Sequence, residues 1–156
     1  RRDIMMSQTR RALFIVMLLC LTGCQAWKTP ATPPGRMLQE TAALEYWRGY
    51  NQYSSVIWIE ADLDNDSRPD TVLIYREGED KCMMCAVLNT AQGYVVTEST
   101  RAPLENQILQ SRDIDERPPV EIMVSGSKNS KFGYAIFRLE NNQLIDLFAE
   151  NMNECC

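Results

Sequence analysis

Apolar residues run along most of this chain in short clusters divided by polar, turn-forming residues. One stretch has helical spacing. In MLQETAALEYWRGYNQY (37–53), Ala43, Leu44, Trp47 and Tyr50 recur at i, i+1, i+4 and i+7, a single helical face. Its aromatic end is expected to dock on the core. Downstream the period changes. Runs rich in β-branched and aromatic residues lie at 55–61, 71–76, 84–90, 94–99, 107–112, 121–126, 134–139 and 143–148. Turn signals separate them, as in antiparallel sheets. Ala91-Gln92-Gly93 divides the third and fourth runs. Asn141-Asn142 divides the last two, and asparagine tolerates the positive φ of a tight hairpin. The expected fold is mainly β, of α+β class, with an N-terminal helix packed on two antiparallel four-stranded units.

The two units read as a duplication spanning 55–99 and 106–148. A shift of 51 residues lays Ile57 on Ile108, Asp62 on Asp113, Leu63 on Ile114, Asp64 on Asp115 and Asp70 on Glu121. It also lays Val72-Leu73 on Met123-Val124. Each half is then strand, acidic loop, strand, strand, turn, strand, a repeated supersecondary unit.

The first acidic loop is DLDNDSRPD, residues 62–70. Calcium takes six to eight oxygen ligands at flexible angles, and alternate residues of a loop turn their side chains to one side. Asp62, Asp64 and Asp66 alternate in this way, the carbonyl of Arg68 follows, and Asp70 closes the set. An EF-hand needs glycine at the sixth position and glutamate at the twelfth. Those places hold Ser67 and Leu73, and Leu73 lies inside an apolar run, so the loop is not an EF-hand. A loop of this kind between two strands resembles the D-x-D-x-D-G-x-x-D calcium loop of FG-GAP/VCBS-type repeats. That resemblance implies a structural calcium ion that fixes the turn, with Ser67 adopting an unusual backbone angle. The competing reading is an acidic turn without an ion. Two repeats cannot close a propeller. In the second loop, DIDERPPVE (113–121), a cation, Arg117, replaces a ligand position, which suggests that Arg117 satisfies Asp113 and Asp115 in place of a metal.

The N-terminus carries a different signal. Arg10 and Arg11 precede the uninterrupted apolar run ALFIVMLLCL (12–21), too short to span a bilayer but suited to a secretory signal. It ends in Leu21-Thr22-Gly23-Cys24, which resembles the bacterial lipobox. The resemblance implies that residues 1–23 are removed, that Cys24 takes the acyl chains (palmitate among them), and that translation starts at Met5 or Met6. Gln25, where an aspartate would retain such a lipoprotein at the inner membrane, implies the outer membrane of a Gram-negative cell, facing the periplasm. Residues 24–36, with Pro30, Pro33 and Pro34, read as an extended tether, and 37–156 as one globular domain.

Removing 1–23 takes four arginines and one aspartate from 16 basic and 21 acidic residues, leaving 12 against 20, a net charge of −8. Such a balance argues against nucleic-acid binding, which needs a basic face. It also leaves membrane attachment to the lipid.

After the acylated Cys24, an oxidising compartment would leave Cys82, Cys85, Cys155 and Cys156 as two structural disulfides. The expected bridges join the CMMC segment to the C-terminal pair, with the connectivity open. The alternative is thiol-redox or Cu(I) chemistry at Cys82, Met83, Met84 and Cys85. The chain contains no histidine, the commonest general base, and no nucleophile elbow or phosphate loop. The expected role is therefore non-enzymatic: a binding or structural component of an envelope assembly, with an unidentified envelope protein as partner.

Overall fold

Thr41 opens the longer of the two helices among the described residues. Its hydroxyl accepts a hydrogen bond from the amide of Leu44 at 3.1 Å, an N-cap that stabilises a helix by about 1 kcal/mol. The computed structural model describes residues 41–156; the expected signal segment (1–23), Cys24 with its tether (24–36), and residues 37–40 of the predicted helix lie outside the described residues. Helix α1 (Ala42–Tyr50) buries Ala43, Leu44 and Trp47. Tyr50 departs from the expected face: it is the last helical residue, is 77 % exposed, and turns its ring onto Tyr46 with centroids 5.0 Å apart. The described residues lie in one compact unit, and among them no helix is long and apolar enough to cross a membrane.

The first sheet contains β1 (Ser54–Ala61), β2 (Asp70–Gly78), β3 (Lys81–Thr90), β4 (Gly93–Val96) and β5 (Thr100–Ala102), all antiparallel. β4 pairs with β3 along Val87–Thr90 and β5 pairs with it along Cys82–Met84, so the two are halves of one edge strand. The break falls at Thr97, whose amide donates to the Ala86 carbonyl (2.9 Å) while its hydroxyl accepts from the Ala86 amide (3.0 Å). The second sheet is β6 (Glu105–Arg112), β7 (Glu121–Lys128), β8 (Lys131–Glu140) and β9 (Gln143–Glu150), again in sequence order. One further turn of helix, α2 (Met152–Cys155), ends the chain. The expected eight strands are all present; β5 and α2 are additions too short to carry a period. Asn141 and Asn142 adopt φ of 51° and 61° in the last hairpin, as the sequence predicts.

Two apolar clusters define the layers. One lies between the sheets and includes Val72, Ile74, Met84, Ala86 and Leu88 from the first against Leu109, Ile122, Val124, Ala135 and Phe137 from the second. The other lies between α1 and the first sheet, where Leu44 and Trp47 meet Leu73, Tyr75, Cys85 and Val87. The order is α1, first sheet, second sheet. Strand β2 is covered on both faces, and all residues from Asp70 to Tyr75 are buried, which is why that run is apolar without alternation.

The duplication is exact in register. Ala61 pairs with Asp70 and Ile57 with Ile74; 51 residues on, Arg112 pairs with Glu121 and Ile108 with Ser125. The faces behave differently. Val72 and Ile74 face the second sheet, but their counterparts Met123 and Ser125 face away from the first. The residues of β7 that face the first sheet, Ile122 and Val124, correspond to Thr71 and Leu73. The two units therefore stack head to tail, each turning the same face in the same direction. The first unit's outer face is capped by α1.

A candidate cation-binding loop

Both acidic loops are β-hairpin connections whose shape is made by their own carboxylates. In the first, the Asp66 amide donates to Asp62 Oδ1 (3.0 Å) and to Asp64 Oδ1 (3.2 Å), and the Ser67 amide donates to Asp62 Oδ2 (2.9 Å). Asp70 stands at the start of β2 and is fully buried; its two oxygens accept from the amides of Leu63 (2.9 Å) and Asn89 (2.8 Å). Asn65 and Ser67 take φ of 61° and 67°, the left-handed geometry that a tight loop needs where the related pattern has glycine. Carboxylate oxygens of Asp62, Asp64 and Asp70 all lie within 4.8 Å of one another.

The second loop repeats three of these hydrogen bonds and one of the two positive φ angles. The Arg117 amide donates to Asp113 Oδ1 (3.0 Å) and Asp115 Oδ1 (3.1 Å), the Ile114 amide donates to Glu121 Oε2 (2.8 Å), and Glu116 has φ of 59°. Asp113, Asp115 and Glu121 form the matching carboxylate group. After Glu116 the loops part, because Pro118-Pro119, joined by a cis bond, stand where Ser67 takes its positive φ.

What separates the loops is charge. Arg138, from β8, reaches Glu121 with its Nε at 2.9 Å and Asp115 Oδ2 with its terminal nitrogen at 2.7 Å, the latter nitrogen also contacting Glu121. This is the role that the sequence leads one to expect of Arg117. Arg117 contributes its amide, and the cation comes from the next strand. Arg138 lies one step beyond the Ile122–Phe137 pair, and the equivalent step beyond Thr71–Val87 falls on Leu88, an apolar side chain. The hydrogen bond from Arg138 is the main reason the Asp115 carboxyl sits below its usual range. Burial pushes Glu121 up, but Arg138 and the Ile114 amide outweigh it and hold Glu121 low. In the first loop the direction reverses. Burial raises Asp70, with the charges of Asp64 and Asp66 adding to it against the two amides, and burial together with the Asp66 charge raises Asp64.

Asp66 and Arg68 sit differently from the predicted ligand set. Arg68 pairs its guanidinium with the Asp66 carboxylate and with the Asn89 carbonyl (2.7 Å). The Arg68 amide and that pairing hold Asp66 below its usual range. The side chains brought together are thus Asp62, Asp64 and Asp70, with Asp66 engaged alongside. Arg138 was legible only as an arginine inside the apolar run YAIFRL, directly across from the position of Glu121.

The four cysteines are free thiols here. Cys82 faces the inter-sheet core, whereas Cys85, three residues on along the same strand, faces α1. Cys155 and Cys156 lie at α2, their sulfurs 3.3 Å apart, and the Cys155 carbonyl accepts from the Leu104 amide at 3.1 Å. Cys82 belongs with this end of the molecule: it pairs in register with Ala102 of β5, two residues before Leu104. The two-bridge expectation therefore meets an obstacle at Cys85, which is turned to the opposite side of β3. The same opposition separates Cys82 from Cys85 as a dithiol. Burial pushes the Cys85 thiol up to about 12 and also raises Cys82, away from the thiolate that redox attack requires.

A scan against protein-family models, a search of curated proteins and a search of solved structures each give no match to the chain.

Proposed function

We propose that this chain is a lipid-anchored envelope protein whose β-stack serves as a binding or structural component, with a divalent cation, of which calcium fits best, holding the Asp62–Asp70 loop. One observation carries the cation reading. The two loops share three amide–carboxylate hydrogen bonds, and the second carries a built-in cation, Arg138, on Asp115 and Glu121. Among the described residues, no salt bridge reaches Asp62, Asp64 or Asp70 in the other copy. Three converging carboxylate oxygens, with burial and neighbouring charge raising the pKa of Asp64 and Asp70, favour a hard cation with oxygen preference. The role of the ion is structural: it joins the end of β1 to the start of β2 and offsets repulsion among the aspartates.

The anchoring half of the reading rests on Leu21-Thr22-Gly23-Cys24 after its apolar run, and the fatty acids provide the membrane attachment that an acidic chain would not. Outer-membrane placement facing the periplasm follows from Gln25, and the partner is an envelope protein. Two measurements test the two halves. Mass spectrometry of the product isolated from cells should find an acylated Cys24 at its N-terminus; an unmodified chain retaining residues 5–23 removes the anchoring reading. Thermal melting with calcium and with chelator should differ, and equal midpoints at millimolar calcium remove the cation reading.

A further inference from the structure

We propose that the outer face of the second sheet is a self-association surface, on which a second copy of this chain packs about a two-fold axis. The evidence is the head-to-tail stacking. In the first unit, the face carrying Ile57, Val72, Ile74, Met84 and Ala86 is covered by the second sheet. The equivalent face of the second unit carries Ile108, Met123, Tyr134, Ile136, Ile145 and Phe148 beside Gln110, Arg112, Ser125 and Arg138, and no element of the described chain covers it. Ile108 is 52 % exposed, Phe148 48 % and Ile145 37 %. Tyr134 and Phe148 pack ring on ring across β8 and β9, with centroids 5.6 Å apart, which makes a continuous aromatic floor beside Ile136. Strand β8 alternates buried Ala135, Phe137 and Leu139 with half-exposed Tyr134, Ile136 and Arg138, and from Phe132 to Phe137 its outward positions are as apolar as its inward ones. That is the composition of a strand covered on both sides, as β2 is.

The occupant follows from the two ends of the stack. The first sheet's outer face is closed by α1, so a copy adding head to tail would find its docking face already occupied. A copy that presents the same open face closes the contact on itself, as isologous interfaces do. The product is a four-sheet stack with a helix at each end and no apolar face left over. The area suffices. Four strands about 4.8 Å apart and roughly eight residues long, at about 3.3 Å per residue, give on the order of 500 Å² of flat face. Side-chain relief brings its accessible area toward the ~800 Å² per partner of a standard interface.

Sedimentation equilibrium of the full chain in density-matched non-ionic detergent tests this. The protein mass at micromolar concentration should be twice the chain mass that mass spectrometry gives for the same preparation. Ile108→Lys with Phe148→Lys, both on side chains already about half exposed, should raise the dimer dissociation constant by at least about a hundredfold, because each places an unpaired charge in a desolvated contact. Val95→Lys, on an exposed apolar residue of the first sheet, should leave it unchanged. A wild-type protein that sediments at its single-chain mass, or a double variant that still dimerises, overturns the proposal. A benzophenone amino acid at Gln110 gives a readout that does not depend on the variants' folding. Its photoproduct should join two copies through the same face, and crosslinks to another region or to a different protein overturn the two-fold contact.

Discussion

Arg138 is the residue on which the comparison of the two loops turns, and replacing it with the residue of the other unit gives the sharpest test. In Arg138→Leu, Asp113, Asp115 and Glu121 keep their backbone hydrogen bonds but lose the guanidinium, so the second loop acquires the charge balance of the first. The variant should melt lower than wild type in chelator, since Glu121, 1 % exposed, is left ionised without its partner. Calcium should then recover more in the variant than in wild type. An extracellular-type site with a dissociation constant of about 0.1–1 mM, at ~10 mM calcium, stabilises by roughly 1.4–2.7 kcal/mol. The described domain of 116 residues unfolds with an entropy of about 0.24 kcal/mol/K at ~2.1 cal/mol/K per residue, so one loop is worth about 6–11 °C. Wild type should gain one such increment and the variant close to two. Differential scanning fluorimetry in chelator and in calcium reads both. The pH dependence gives a second reading. Arg138 holds Asp115 and Glu121 below their ordinary values, so its stabilisation is complete above the carboxylate range and is lost as pH falls through the lowered folded-state values. The gap between wild type and variant in chelator should therefore narrow below about pH 4. Equal calcium shifts in the two proteins, or a gap that widens on acidification, would refute the equivalence of the loops.

Two further outcomes follow from the packing. Gly133→Val should detach the C-terminal turn, because a β-carbon there would lie 2.7 Å from Cys155 Sγ and 2.8 Å from the Asn151 carbonyl oxygen; overpacking of this kind costs about 1–3 kcal/mol, and amide hydrogen exchange of Met152–Cys155 should accelerate selectively. Cys85, fully buried and with its thiol pushed up to about 12, should resist alkylation of the folded protein at pH 8 and react only on unfolding, as peptide mass mapping would show; modification at the rate of an exposed thiol would mean that α1 does not cover it.

The strands were legible because each run is bounded by turn chemistry that acts locally, Asn141-Asn142 being the clearest case. The repeat was legible because the loop carboxylates serve the backbone itself: Asp62 and Asp113 hold the same amide four residues on, so both positions call for a short acidic side chain. What could not be read was direction across the sheet. Leu73 and Val124 correspond in sequence and are both buried, but one meets α1 and the other the first sheet. Apolarity records that a side chain is covered and does not record by what. The same blindness explains Tyr50, whose place on the helical face depended on where α1 stops, and Cys85, whose sulfur points toward a helix rather than toward the chain end. Arg138 was hidden because its partners come from a different hairpin turn, 23 and 17 residues away.

Every strand in both sheets pairs with its neighbour in sequence, apart from the short β5, which rejoins β3 across its own edge. Loop closure in this chain is therefore cheap throughout, and contact order is low for an all-antiparallel architecture, which favours quick folding. Each meander can zip up from its own hairpins before the other exists. The single long-range event is the docking of one finished meander on the other, and the layer trapped in the middle, β2 and β3, is where protection against exchange should last longest.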